Sequence, residues 1–105
     1  MIKINGYIEF LFCTIKSNNN IKFMAMQYPM RSINSLKKLL YSNKNYKNIT
    51  FISNEENFKK YLYNIGSYDD LFIDQFAGDF GHCTELGNKI IAENVKKHII
   101  DYLKE

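Results

Sequence analysis

Residues 21–53 read "IKFMAMQYPMRSINSLKKLLYSNKNYKNITFIS", and the parsing of this stretch decides the fold. Its opening, "IKFMAMQYP" (21–29), is short, apolar and closed by Pro29, which reads as a buried β-strand. Ser32 can cap a helix that sets Ile33, Leu36, Leu39 and Leu40 on one face. The polar "YSNKNYKN" (41–48) then leads into "ITFIS" (49–53), a second short, β-branched strand. Strands alternating with helices predict a parallel sheet covered by helices, an α/β fold.

Working outward, Ile4, Ile8, Leu11, Phe12 and Ile15 have the spacing of one helical face over residues 4–17, and "SNNN" (17–20) stops that helix. Downstream, Asn54 is expected to cap a helix with Phe58, Tyr61, Leu62 and Ile65 inward, ended by Gly66. Residues 67–83 show no clean period and read mostly as loop. Thr84 caps a last helix reaching about Leu103. Its apolar stripe is Ile91, Ala92, Val95, Ile99, Tyr102 and Leu103, with Glu93, Lys97, Asp101 and Lys104 opposite. The 105 residues fit one domain, 1–105, with no repeat and no linker. Two strands alone make a poor parallel sheet. Either a third strand hides in the loops or the chain is a piece of a larger sheet.

Composition narrows the function classes. Apolar residues at 46% are enough for a packed core and too many for a disordered chain. A net charge of +3 with scattered lysines argues against a nucleic-acid partner. Glu9 interrupts the first apolar run, no cleavage site follows it, and no segment approaches 18 apolar residues. The expectation is therefore a cytoplasmic chain without a signal peptide or membrane span. Cys13 and Cys83 show no metal-like or disulfide-framework spacing, and two histidines without zinc-like neighbours predict no metal and no cofactor.

The chemistry concentrates in "DQFAGDFGHCTELGN" (74–88), where Asp79 stands three residues before His82 between Gly78 and Gly81. An acid so placed can hold an imidazole in one tautomer and stabilise the imidazolium, as a hydrolase triad requires. Spacing alone, however, favours an ordinary turn ahead of the helix that Thr84 caps. The flanking residues add to this. "FAGDFGHCTELGNKIIAENV" (76–95), with Asp79, His82, Thr84, Gly87 and Ile91-Ala92, resembles the last motif block of the SGNH (GDSL-type) esterase and acyl-hydrolase family. The resemblance implies a three-layer α/β/α, flavodoxin-like fold, with His82 as general base and Asp79 as its orienting acid.

The same family carries a Gly-Asp-Ser nucleophile and a Gly-x-Asn-Asp-like oxyanion block, and neither motif occurs in this sequence. The expectation is thus the C-terminal half of an SGNH hydrolase domain, catalytically incomplete alone, whose ester substrate is reached only when a second chain supplies the first half. The rival reading is a non-catalytic interaction module, or a small self-sufficient α/β protein, pairing with a partner or forming a homodimer through an exposed sheet edge. Cys83 invites a Cys-His alternative, but neighbouring side chains usually point apart. Tyr68, Phe72, Phe76 and Phe80 suit either a substrate pocket or packing of the loop onto the sheet.

Overall fold

In a computed structural model, residues 22–41, 49–76 and 81–105 are described. β1 (Phe23–Met26) and β2 (Ile49–Ile52) pair in parallel, with Phe23 opposite Ile49 and Met26 opposite Ile52. The crossover between them carries α1 (Ile33–Tyr41), so the strand–helix–strand reading of 21–53 holds. The first strand is shorter than its apolar run because the chain turns at Pro29, where the Arg31 N–H donates to the Tyr28 carbonyl at 3.0 Å. Ser32 takes the expected place before α1, its hydroxyl accepting from the Asn34 N–H at 3.2 Å.

Side chains alternate across a strand, so Phe23 and Ala25 share a face, and the register sets Ile49 and Phe51 beside them. Leu36 and Leu40 of α1 cover that face. Ile52 points the other way and is also buried. Against β2 lies α4 (Glu85–Leu103). The Asn94 amide donates to the Ser53 carbonyl at 2.9 Å, just past the end of β2. The Lys22 ammonium, just before β1, sits 5.2 Å from the Tyr102 ring centroid. From Asn94 to Tyr102 the helix rises about 12 Å, close to the ~13 Å that four strand residues span. α4 therefore runs antiparallel to both strands.

A second core lies beyond the carboxyl ends of the strands. Phe58 of α2 (Glu55–Asn64), Leu71 of α3 (Tyr68–Leu71) and Phe72 are fully buried or nearly so. Met30, Tyr61, Leu62, Ile90 and Ile91 close around them. Asn54 precedes α2 as expected, but its side chain makes no cap bond and is instead a buried tie between helices. Its Oδ1 accepts from Asn57 Nδ2 at 3.2 Å and Asn94 Nδ2 at 2.8 Å, while its own Nδ2 has no partner among the described residues.

Among the described residues of 67–83, the mostly-loop reading gains only the single turn of α3 and an isolated bridge between Phe72 and Cys83. Other expectations are corrected. Ile65 falls after the last turn of α2 and is 74% exposed rather than inward. In α4, Ile91 and Val95 are half-buried, but Ala92, Ile99, Tyr102 and Leu103 are exposed. Among the described residues the sheet is only two strands wide, too narrow to cover the whole apolar stripe of α4. The helix read over 4–17 lies outside the described residues. Among the described residues no helix is long and apolar enough to cross a membrane.

Candidate active site

His82 is positioned by a short antiparallel pairing that sequence periodicity does not reveal. α3 opens at Ser67, whose N–H donates to the Asp70 carboxylate at 2.9 Å. The same carboxylate oxygen accepts from the Tyr61 hydroxyl at 3.1 Å, and burial together with this carboxylate raises the Tyr61 pKa. After α3 the chain pairs with the segment leading into α4. Ile73 N–H donates to the His82 carbonyl at 2.8 Å, and Thr84 N–H donates to the Leu71 carbonyl at 2.8 Å. The Thr84 hydroxyl accepts from Gly87 N–H at 3.1 Å as a helix cap and donates to the Asp70 carbonyl at 2.6 Å. Gly87 is buried, and a Cβ there would lie 2.5 Å from the Leu71 carbonyl oxygen. α4 therefore starts hard against α3.

Alternation across this pairing separates the two neighbours His82 and Cys83. Cys83 joins Phe72 in the core, and burial pushes its thiol pKa up. A thiol shifted that way is a poorer nucleophile at neutral pH, which counts against the Cys-His alternative. His82 faces the other way, its side chain 68% exposed.

The carboxylate of Asp74 holds His82 twice. Oδ1 accepts the His82 backbone N–H at 2.7 Å, and Oδ2 lies 2.7 Å from ring Nδ1. A carboxylate is an acceptor, so Nδ1 carries the proton of the neutral ring and Nε2 keeps its lone pair. Gly81 makes the grip possible: a Cβ there would come 1.9 Å from the Asp74 carbonyl oxygen. The Phe76 ring meets the imidazole edge-on, with centroids 5.2 Å apart. On the inner side, the Tyr68 hydroxyl donates to the Asp74 carbonyl at 3.1 Å while its ring stacks on Phe72. Tyr68 and Phe72 thus pack the loop, Phe76 flanks the imidazole, and Phe80 lies outside the described residues.

The two bonds from His82, the backbone N–H first and the ring second, hold the Asp74 pKa below its ordinary value. A depressed folded pKa means the unfolded chain binds the proton more readily. The grip therefore contributes fully above the ordinary carboxylate range, near 4, and is lost as pH falls through the lower folded value. In an NMR pH titration the His82 amide is expected to keep its hydrogen-bonded shift at neutral pH and lose it only in that acid range. An amide shift that does not move as pH falls through that acid range would show that the Asp74 carboxylate does not hold it.

Of the two residues singled out by spacing, His82 stands at the outer face of this pairing, while Asp79 lies outside the described residues. The carboxylate that the described residues bring to Nδ1 is Asp74, eight positions ahead, which sequence reasoning missed. The pairing of "LFID" (71–74) with "GHCT" (81–84) sets Ile73 opposite His82 and Asp74 opposite Gly81, so strand alternation alone does not signal this contact. Among the described residues no hydroxyl bonds to the imidazole. Ser32 and Ser53 instead accept from backbone N–H groups at helix starts. His98 points Nδ1 at the Asn94 carbonyl, 2.9 Å away within α4. Among the described residues no three His, Cys, Asp or Glu side chains gather to hold a metal ion. No family model, curated protein or solved structure matches the chain.

Proposed function

We propose that this chain carries the base and orienting acid of a serine-hydrolase site of the SGNH type, and acts on an ester when another segment provides the nucleophile. The observation that carries the reading is the His82–Asp74 contact, with Nδ1 fixed and Nε2 left outward on an exposed ring. In that arrangement Nε2 takes the proton of a serine hydroxyl as it attacks the ester carbonyl. The carboxylate stabilises the imidazolium, which returns the proton to the leaving alkoxide. Support also comes from the resemblance of residues 76–95 to the family's final block and from a parallel strand–helix–strand unit compatible with its three-layer, flavodoxin-like sheet. The family pattern assigns the acid to Asp79, so the two carboxylates are rivals for one role.

The partner in this reading extends the two-stranded sheet and brings the Gly-Asp-Ser turn and oxyanion donors that the sequence lacks. Losing one oxyanion donor alone costs about 3 to 4 kcal/mol of transition-state stabilisation, and without a nucleophile the covalent route is closed. Purified chain, His82→Ala and Asp79→Ala are therefore expected to hydrolyse a short-chain p-nitrophenyl ester at the buffer rate. Turnover by the wild type that His82→Ala abolishes would sink the half-site reading and place a nucleophile within these residues. Co-expression with a chain bearing a Gly-Asp-Ser strand–turn–helix is the positive arm, and hydrolysis that depends on His82 is the result expected there.

A further inference from the structure

The outer face of α4 carries a charge pattern that fits a second copy of itself. Glu93, Lys96, Lys97, Ile100, Asp101 and Lys104 follow one another at steps of three or four residues or as neighbours, so they share one side of the helix. All six are exposed, and together they line one open depression. Among the described residues none of the five charges makes an ion pair, although Lys59 and Glu55 show that an i, i+4 pair forms elsewhere, at 3.2 Å.

We propose that this face is a homodimer interface, with two α4 helices packed antiparallel about a two-fold axis that passes between them level with Ile99. Such an axis brings a residue on one side of the crossing against one equally far beyond it on the partner. Glu93 and Lys104 stand about 8 Å to either side of the crossing at 1.5 Å per residue, near the centre line of the face. Each therefore meets its opposite charge across the axis. Lys97 and Asp101 lie closer in and on the same flank, so they too meet as opposites. Both pairs occur twice by symmetry. Ile100, 39% exposed, lies near the axis and meets its own copy. On the other flank the Lys96 methylenes cover the partner's Leu103, a residue 73% exposed within one chain.

A parallel arrangement would set each charge against its own copy, lysine on lysine and glutamate on glutamate. The spacing thus selects the antiparallel pair as well as permitting it. A face of three helical turns buries less than the ~800 Å² per partner of a standard interface. The dimer is accordingly weak and salt-sensitive. It is independent of His82, which is placed by residues 71–84 near the opposite end of α4.

The test is sedimentation velocity of the whole chain across a concentration series, with charge-swapped variants. Wild type is expected to shift from monomer toward dimer as concentration rises, and less so in ~0.5 M salt, where screening is short-ranged. E93K/D101K makes the face all basic and K97E/K104E makes it acidic apart from Lys96. Each variant alone is expected to remain monomeric with unchanged helical circular dichroism, and an equimolar mixture is expected to form the heterodimer. A wild type that stays monomeric at the highest concentration reached would overturn the proposal. So would a mixture that associates no better than its components, or variants that dimerise as well as wild type.

Discussion

Phe58→Ala is expected to destabilise the domain by about 3 to 5 kcal/mol, a large part of the 5 to 15 kcal/mol that holds a typical domain folded. Phe58 has no exposed surface and its ring lies 5.6 Å from that of Phe72. Its cluster joins Met30 after β1, Tyr61 and Leu62 of α2, Leu71 of α3, Cys83 and the first turns of α4. Removing the ring leaves a cavity where all of these elements meet, and none can close it without moving the others. Because Phe72 and Cys83 form the inner side of the pairing that presents His82, the site is expected to loosen together with the core. Urea unfolding followed by circular dichroism measures the loss. Tyr63→Ala, at a position 84% exposed, should stay within about 0.5 kcal/mol of wild type. Equal effects from the two substitutions would mean that Phe58 does not anchor the fold.

In a complex that supplies the serine, Asp74→Asn is expected to lower kcat by roughly 10⁴, the penalty for a base held in the wrong tautomer. The asparagine amide can turn an N–H toward Nδ1, which then accepts, and the proton moves to Nε2 where the lone pair is needed. His82→Ala removes the base itself and should cost at least as much, up to about 10⁶. Asp79→Asn decides between the two carboxylates. If Asp74 orients the base, Asp79→Asn retains most of the rate, and the ¹⁵N shifts of His82 in the isolated chain change only on Asp74→Asn. If the large loss follows Asp79 and the tautomer survives Asp74→Asn, the acid is the one that spacing indicates. Asp74 then serves only to close the turn.

What could be read in advance was whatever a local period encodes. The parallel strand–helix–strand unit was legible because Pro29 ends one apolar run, Ser32 starts a helix, and "ITFIS" follows a polar stretch. Thr84 was legible as a cap because a hydroxyl just before a helix has one dominant use, and it accepts from Gly87 N–H. Asn54 was only half legible. Its place before α2 was correct, yet its side chain bonds Asn94, forty positions away, and no local pattern announces that.

The division at the site follows the same physics. The sequence by itself determined that His82 sits between a glycine turn and a capped helix, and that no Gly-Asp-Ser turn accompanies it. Only the tertiary structure decided which described carboxylate meets the imidazole, and that Cys83 faces the core while His82 faces out. Helix caps and strand alternation are set by neighbours a few bonds apart. The contact of Asp74 with His82 instead requires α3 to dock on α4 through Thr84, Gly87 and the Leu71 carbonyl. That docking is a packing event, and its energy comes from residues that share a core without sharing a period.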